Sequence, residues 1–421
     1  MALIQKPVTG MKDVLPAEMK IREYVSDMVR KTYEGFGFSS IETPCVEHIE
    51  NLCSNQGGEN EKLIFKILKR GEKLDLAGAA GEEDLVDGGL RYDLTLPLSR
   101  YYANHKNDLP QPFKALQMGS VFRADRPQKG RFRQFVQCDI DILGDPSNLA
   151  EIELILATTT LLSRLSFRDF TVRINDRRIL KAMASCAGFL EEDYDTVFII
   201  LDKMDKIGKE GVEEELVKSG FSQEQATRYL SLFSGAQGEE GLEELAEKLQ
   251  GHLEEDCISG LSMIMETVSK LRATDFRIAF DPTLVRGMSY YTGTIFEICT
   301  EGFSSSIAGG GRYDEMIGRF TGQKTPACGF SIGFERIITI LMDNDFQVPG
   351  TSDKVAFLIE KGADADRICA VMKEAEALRA EGKQVLVSWM NKNKKFQKEQ
   401  LQKEGYPAEN IRDFYHTALK E

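Results

Sequence analysis

Residues 122–144 read FRADRPQKGRFRQFVQCDIDILG, in which Arg123, Arg126, Lys129, Arg131 and Arg133 are followed at once by Asp139 and Asp141. The second half alternates. Taken as a strand from Arg133 to Leu143, it turns successive side chains to opposite faces. One face receives Val136, Cys138, Ile140 and Ile142 and is a core face; the other receives Phe135, Gln137, Asp139 and Asp141. An aromatic, an amide and two carboxylates in a row fit two situations. In the first, the face is solvated and its acids neutralise the nearby arginines, as the outer face of an antiparallel sheet commonly does. In the second, it is the floor of a concave site. Arginines on the turn would then hold phosphates with their planar, two-pronged guanidinium groups, Phe135 would stack a base, and Gln137 and Asp141 would hold a polar or cationic group.

The remainder of the chain narrows the choice. At 421 residues it is long enough for two or three domains with cores of their own, and 42% hydrophobic with 29% charged residues is a globular composition. No apolar run approaches the roughly 20 residues of a membrane span, and the opening MALIQKPVTGMKDVLP lacks a signal-peptide core. No membrane association is expected, and the expected location is cytoplasmic. The eight cysteines are scattered without a CxxC pair or zinc spacing, and none of the four histidines stands in a motif that looks chemical. A histidine-based catalyst and a histidine-rich metal site are both disfavoured; no metal ligand is assigned. The net charge of -14 argues against non-specific coating of nucleic acid and leaves local readout by a basic patch open.

Along the chain, an amphipathic helix is expected near Ala17–Phe36 and an extended segment at FSSIETPCVE, with a surface hairpin or loop over residues 75–89. From about Phe189 to Ala273 charged, glycine-punctuated helical stretches suggest a helical insertion. Strand-like text returns at FRIAFDPTLVRGMSYYTGTIFEI. After DNDFQVPGTSD, alternating strands and helices describe a small α/β domain.

Further clusters lie at element ends. LRYDLTLPLSRYYA (Leu90–Ala103) reads as a strand running into a helix that starts at Pro97, with Arg91, Asp93 and Thr95 on one face. LVRGMSYYTGTIFEI reads as a strand whose Tyr290 and Tyr291 point to opposite faces. In SSSIAGGGRYDEMIG, three glycines clear a strand end for close approach by a ligand, although a flexible loop is the commoner meaning of such a run. ACGFSIGFERIITIL places Arg336 in the first turn of a helix, where a cation opposes the helix dipole unless an anionic ligand or an acidic partner stands there. GRFTGQKT fails as a phosphate loop because Gln323 separates glycine from lysine, and no strand-GxGxxG-helix unit is present.

Together these residues resemble a known family. FRADRPQKGRFRQFVQCDIDILG looks like motif 2 and GFSIGFERI like motif 3 of the class II aminoacyl-tRNA synthetases. LVRGMSYYTG and AGGGRYD resemble the two signature peptides of the histidyl-tRNA synthetases, and RYDLTLPLSRYYA is similar to the matching segment of the eukaryotic-type enzymes. The resemblance spans most of Gly10–Met342. It implies an α+β fold with an antiparallel sheet flanked by helices, split into 1–186 and 274–345 by a helical insertion at 187–273, and followed by a shortened anticodon-binding-like domain at 346–421. By position it implies ATP held by Arg123, Arg131, Phe135 and Arg336, with Phe135 and Arg336 on the two faces of the adenine. Asp93, Thr95, Gln137 and Asp141 would surround the histidine amino group. Tyr290, Tyr291 and Tyr313 would line the histidine pocket, and Arg286 would bridge carboxylate and α-phosphate, making Arg286 and Arg123 the catalytic pair. The implied partners are histidine, ATP with Mg2+, tRNA(His), and a second copy through a motif 1-like N-terminal helix and strand.

Two features depart from the family. Ser289 stands where the signature usually has Asp, and the last domain stops at Glu421, soon after IRDFYH. Alternatives therefore stay in view: a regulatory paralogue that partners ATP phosphoribosyltransferase in histidine biosynthesis, or an enzyme that passes its adenylate to another acceptor. A plain RNA-binding module sits poorly with a full set of phosphate-binding arginines. Lys392, Lys394, Lys395 and Lys398 fit a solvated helix face or an RNA contact.

Overall fold

The structure is a computed structural model that describes residues 3–53, 60–127, 131–235, 237–272, 275–285, 290–303, 305–350 and 353–415. It divides into two compact units, residues 1–346 and 347–421.

The first unit begins with helix α1 (Pro16–Gly35), which has Pro16 in its first turn and buries Arg22, Val25, Val29, Thr32 and Tyr33 at three- and four-residue spacing. Next come β1 (Ser39–Ile41), β2 (Val46–His48), α2 (Ile49–Cys53), β3 (Lys66–Leu68) and β4 (Val86–Leu90). Strands β2, β4 and β3 pair as a small antiparallel sheet with β4 in the centre. Of the hairpin or loop expected over residues 75–89, the C-terminal part is a strand paired antiparallel with β3. Residues 75–81 are irregular, but Val86–Leu90 is a strand whose glycines hide the usual signal: a Cβ on Gly89 would lie 2.7 Å from Leu52 Cδ1.

Helix α3 (Thr95–His105), β5 (Phe113–Phe122), β6 (Gln134–Leu143), α4 (Leu149–Arg164) and β7 (Phe170–Asp176) follow. Six helices then intervene: α5 (Arg177–Ala187), α6 (Tyr194–Leu201), α7 (Met204–Lys218), α8 (Gln223–Ser231), α9 (Gly238–Lys248) and α10 (Glu255–Leu271). Their ends follow local rules. Asp176 caps α5 by accepting from Arg178 N at 2.8 Å, Gly188 closes it at φ +88°, and Ser222 with Gln225 forms a capping box on α8. The unit is completed by β8 (Phe276–Phe280), β9 (Thr294–Thr300), β10 (Ala308–Arg312), α11 (Gly318–Thr321), β11 (Ala327–Ile332) and α12 (Phe334–Asp343).

Eight strands form one sheet in the order β1-β5-β6-β11-β10-β9-β7-β8. It is antiparallel except at its two edges, where β1 pairs with β5 and β7 with β8 in parallel. Strand β6 lies between β5 and β11, with Asp139 opposite Gln117 on one side and Ser331 on the other. Its apolar side chains Cys138, Ile140 and Ile142 are buried in one core with residues of α1 and α4. The opposite face of β6 is where the site forms.

In the second unit, β12 (Lys354–Ile359), α13 (Ala365–Ala380), β13 (Gln384–Trp389), α14 (Lys394–Lys403) and β14 (Ile411–Phe414) give a parallel sheet in the order β13-β12-β14. The central strand is buried on both sides, which accounts for its unbroken apolar text. Val355, Phe357 and Ile359 pack with Val371 and Ala375, while Ala356 and Leu358 pack with Leu401 and Tyr406.

Candidate active site

The site is a cavity of about 310 Å³ over β6, β10 and β11. Asp93, Thr95, Arg123, Arg131, Phe135, Gln137, Asp141, Tyr290, Tyr291, Tyr313 and Arg336 all line it. Arg286 and Ser289 lie outside the described residues.

Strand β6 supplies the floor as the alternation predicts. Phe135, Gln137, Asp139 and Asp141 face the cavity. A solvated face is ruled out at its far end, where Asp139 and Asp141 are only 4% and 3% exposed. Asp93 reaches the same place by a route that differs from the expected one. Residues 91–94 are not strand, α3 starts at Thr95 and not at Pro97, and Asp93 accepts from Leu96 N at 3.1 Å. Arg91 leaves the face assigned to it: its guanidinium donates to the backbone oxygens of Thr43 (2.6 Å) and Ser120 (2.9 Å).

The tyrosine pair also differs from expectation. Tyr290 and Tyr291 precede β9 instead of lying in a strand, and both rings line the cavity with centroids 4.8 Å apart. Tyr290 hydrogen-bonds with Thr95, and the Tyr313 hydroxyl donates to Asp141 Oδ1 at 2.6 Å. Burial pushes the phenols of Tyr290 and Tyr313 well above their ordinary range, so both are neutral donors at pH 7.

The glycine run is built for its neighbours. A Cβ on Gly311 would stand 2.6 Å from Thr294 O and 3.0 Å from Tyr291 Cδ1, and one on Gly329 of β11 would stand 2.0 Å from Asp141 Oδ1. These glycines make room for the side chains that shape the pocket. The neighbouring Arg312 is not part of it and forms a buried two-pronged pair with Glu151 at 2.6 and 2.7 Å.

The two ends of the cavity have opposite character. At the acid end, Asp93, Asp139 and Asp141 are buried and, among the described residues, none of them is in an ion pair. Burial raises the proton affinity of all three: at Asp93 it outweighs the Leu96 N–H and the charge of Arg123, at Asp141 it is reinforced by Asp139 and Asp93, and it pushes Asp139 up to about 7 with a smaller contribution from Asp93. Asp93 Oδ2 and Asp141 Oδ2 are buried without a hydrogen-bond partner. Such a group invites a compact cation with several N–H donors.

At the arginine end, Arg123 Nε donates to Tyr92 O at 2.8 Å, and its guanidinium carbon lies 5.2 Å from the centre of the Phe135 ring. Arg336 is the third residue of α12 and donates to the backbone oxygen of Ser306. Its neighbour Glu335 was not foreseen from the sequence. It accepts from Arg22 of α1 at 2.6 and 2.8 Å and from Val136 N of β6 at 3.2 Å, tying the three elements together just beside Arg336.

An anion-binding end, an aromatic platform and a cation-binding end on one antiparallel sheet match a known architecture. The histidyl-tRNA synthetase family model matches residues 10–337. The chain belongs to the histidyl-tRNA synthetase family. A histidine–tRNA ligase of Leifsonia xyli subsp. xyli is 44% identical over 398 residues, covering 92% of this chain and 91% of that one. One from Christiangramia forsetii is 34% identical over 394 residues, 90% of this chain and 86% of the relative. Among solved structures, histidyl-tRNA synthetase from Nostoc sp. PCC 7120 superposes with a TM-score of 0.76 at 29% identity, over 96% of this chain and 90% of that one. A protein described as an ATP phosphoribosyltransferase regulatory subunit/histidyl-tRNA synthetase from Bacillus halodurans C superposes at 0.80 with 22% identity, over 99% and 100%, and so shares the fold.

Proposed function

We infer that the chain joins histidine to ATP as histidyl-adenylate and transfers the histidyl group to the 3′ end of tRNA(His). It is an aminoacyl-tRNA synthetase, an ATP-dependent ligase. The observation that carries the residue assignment is the convergence of eleven side chains, drawn from segments between Asp93 and Arg336, on a single cavity with one anionic and one cationic end.

The α-ammonium of histidine enters among Asp93, Thr95, Gln137 and Asp141, where it supplies the charge and the donors that the buried oxygens want. Tyr290, Tyr291 and Tyr313 wall the imidazole. ATP lies over Phe135 with its phosphates at Arg123, Arg131 and Arg336. Arg286, assigned by the resemblance alone, bridges the carboxylate and the α-phosphate. A carboxylate oxygen forms a bond to the α-phosphorus in line as the bond to the bridging oxygen breaks, and pyrophosphate leaves with the electron pair. A ribose hydroxyl of the terminal adenosine of tRNA then attacks the carbonyl carbon, AMP leaves as the anion and the hydroxyl proton is released. The chain contributes orientation and charge stabilisation and no nucleophile of its own. Mg2+ belongs to the substrate, as the counter-ion of ATP.

The same reading makes 187–273 an insertion that approaches the acceptor arm and 346–421 an anticodon-binding-like domain. It makes the assembly a homodimer formed through the α1–β1 segment, working in the cytoplasm. No described helix is long and apolar enough to cross a membrane.

The experiment is ATP–pyrophosphate exchange with each amino acid in turn, followed by tRNA charging. Exchange with histidine alone is expected, and charging of tRNA(His) with it. Exchange without charging would move the acceptor away from tRNA, and absence of exchange with every amino acid would favour the regulatory alternative.

A further inference from the structure

Asp139 has no role among the assigned site residues, yet it is buried at the centre of the cavity floor. Its oxygens accept from Gln137 Nε2 at 3.2 and 3.3 Å, and Ser331, opposite it on β11, accepts from the same nitrogen at 3.3 Å and favours the ionised form of Asp139. On its other side, the Gln137 carbonyl Oε1 accepts from Arg123 Nη2 at 3.4 Å.

This arrangement fixes which way the Gln137 amide points. A carboxylate only accepts and a guanidinium only donates, so the amide nitrogen must face Asp139 and the amide oxygen must face the cationic side. A neutral partner at position 139 would remove the closer of these two constraints. It would accept and donate, and only the longer contact from Arg123 Nη2 at 3.4 Å would then hold the amide oxygen toward the cationic side. The polarity of the row Asp139–Gln137–Arg123 is therefore set from both ends, and more closely by the negative charge of Asp139 than by Arg123.

We propose that Asp139 is a positioning residue which, through Gln137, aims the amide oxygen at the histidine ammonium and Arg123, and that entry of the ammonium drives a proton off the Asp93–Asp139–Asp141 group. The proposal rests on the reading that this end of the cavity takes the α-ammonium. The charged and titratable groups facing Asp139 are Asp93 from the segment before α3, Arg123 after β5 and Asp141 on its own strand. The Cys138 thiol and Tyr33 phenol nearby are neutral. Three buried carboxylates with one hydrogen-bonded arginine at a distance hold a proton near neutrality, Asp139 titrating at about 7. A cation placed among them lowers their proton affinity, so histidine binds more tightly as pH rises through 7.

The test is histidine KM in the exchange reaction from pH 6 to 8, for the wild type, Asp139→Asn and Ser331→Ala, with thermal melting of each. Titration of the substrate imidazole is common to all three and cancels in the ratios. Asp139→Asn is expected to raise the histidine KM about tenfold, the worth of a charge-assisted hydrogen bond, and the ratio to wild type grows with pH. Its melting temperature at pH 7 does not fall, since a buried uncompensated charge is lost. Ser331→Ala removes a hydrogen bond from the ionised form and moves the midpoint of the wild-type profile to higher pH. If Asp139→Asn does not fold, that shift decides the matter. Unchanged KM values and profiles in folded, exchanging variants would overturn the proposal and leave the function standing. A wild type that shows no histidine-dependent exchange would instead remove the reading beneath it.

Discussion

The two ends of the cavity meet the same difficulty, isolated charge, in different ways. The arginines at one end have long side chains that rest on backbone oxygens and an aromatic ring: Arg123 on Tyr92 O and over Phe135, Arg336 on Ser306 O. The aspartates at the other end have short side chains, two of them fixed to a central strand, and cannot leave. They hold their charge only by giving part of it up to protons. Arg123 and Arg336 are therefore partnered without the ligand, whereas Asp93 Oδ2 and Asp141 Oδ2 are not. Removal of side chains at the two ends should differ accordingly.

The largest effect is expected at the arginine end. Arg336→Ala should lower kcat for exchange by about 10²–10³, the usual worth of one preorganised charge on a developing anion, with little change in histidine KM, because that end of the cavity is remote from the amino group. Exchange kinetics with histidine varied at saturating ATP check it; a loss confined to histidine KM would erase the division between the ends. The next is Asp141→Asn, which leaves a weaker acceptor for Tyr313 and removes charge from the cradle. Histidine KM is expected to rise at least about tenfold, with ATP KM nearly constant. Equal loss for both substrates would mean that the two ends are one unit.

The smallest effect is on stability. The raised proton affinity of Asp139 means that the folded state favours its protonated form, so the benefit to folding is complete below about pH 4, the ordinary carboxylate value. It is lost as pH climbs through the folded value of about 7. The melting temperature of Asp139→Asn relative to wild type should accordingly rise between pH 4 and 7 by a few degrees and stay level above. A flat difference across that range would show that water or a counter-ion already compensates the trio.

Much of the floor was legible because a strand has a period of two. Phe135, Gln137, Asp139 and Asp141 were separated from their core-facing neighbours by alternation alone. That logic failed where the chain was not a strand. At Arg91–Thr95 the Asp93 carboxylate caps a helix, which breaks the alternation and sends Arg91 elsewhere. At Tyr290–Tyr291 the backbone is irregular, and neighbours can share a side. Glycine misled twice: it hid strand β4, and in β10 its space serves side chains of the protein itself. The Arg22–Glu335 pair left no trace because its partners are 313 residues apart and each is an unremarkable charge within a helix. Local chemistry is written in local pattern; pairings made by the fold are not.

The assignment of the ammonium end is tested most directly by comparing the affinity of the wild-type protein for histidine with that for imidazolepropionate, which lacks only the α-amino group. Calorimetric titration should show histidine binding and the des-amino compound weaker by about a hundredfold or more, because it brings its carboxylate without the compensating cation. Equal affinity for the two would contradict the placement of the ammonium among Asp93, Thr95, Gln137 and Asp141.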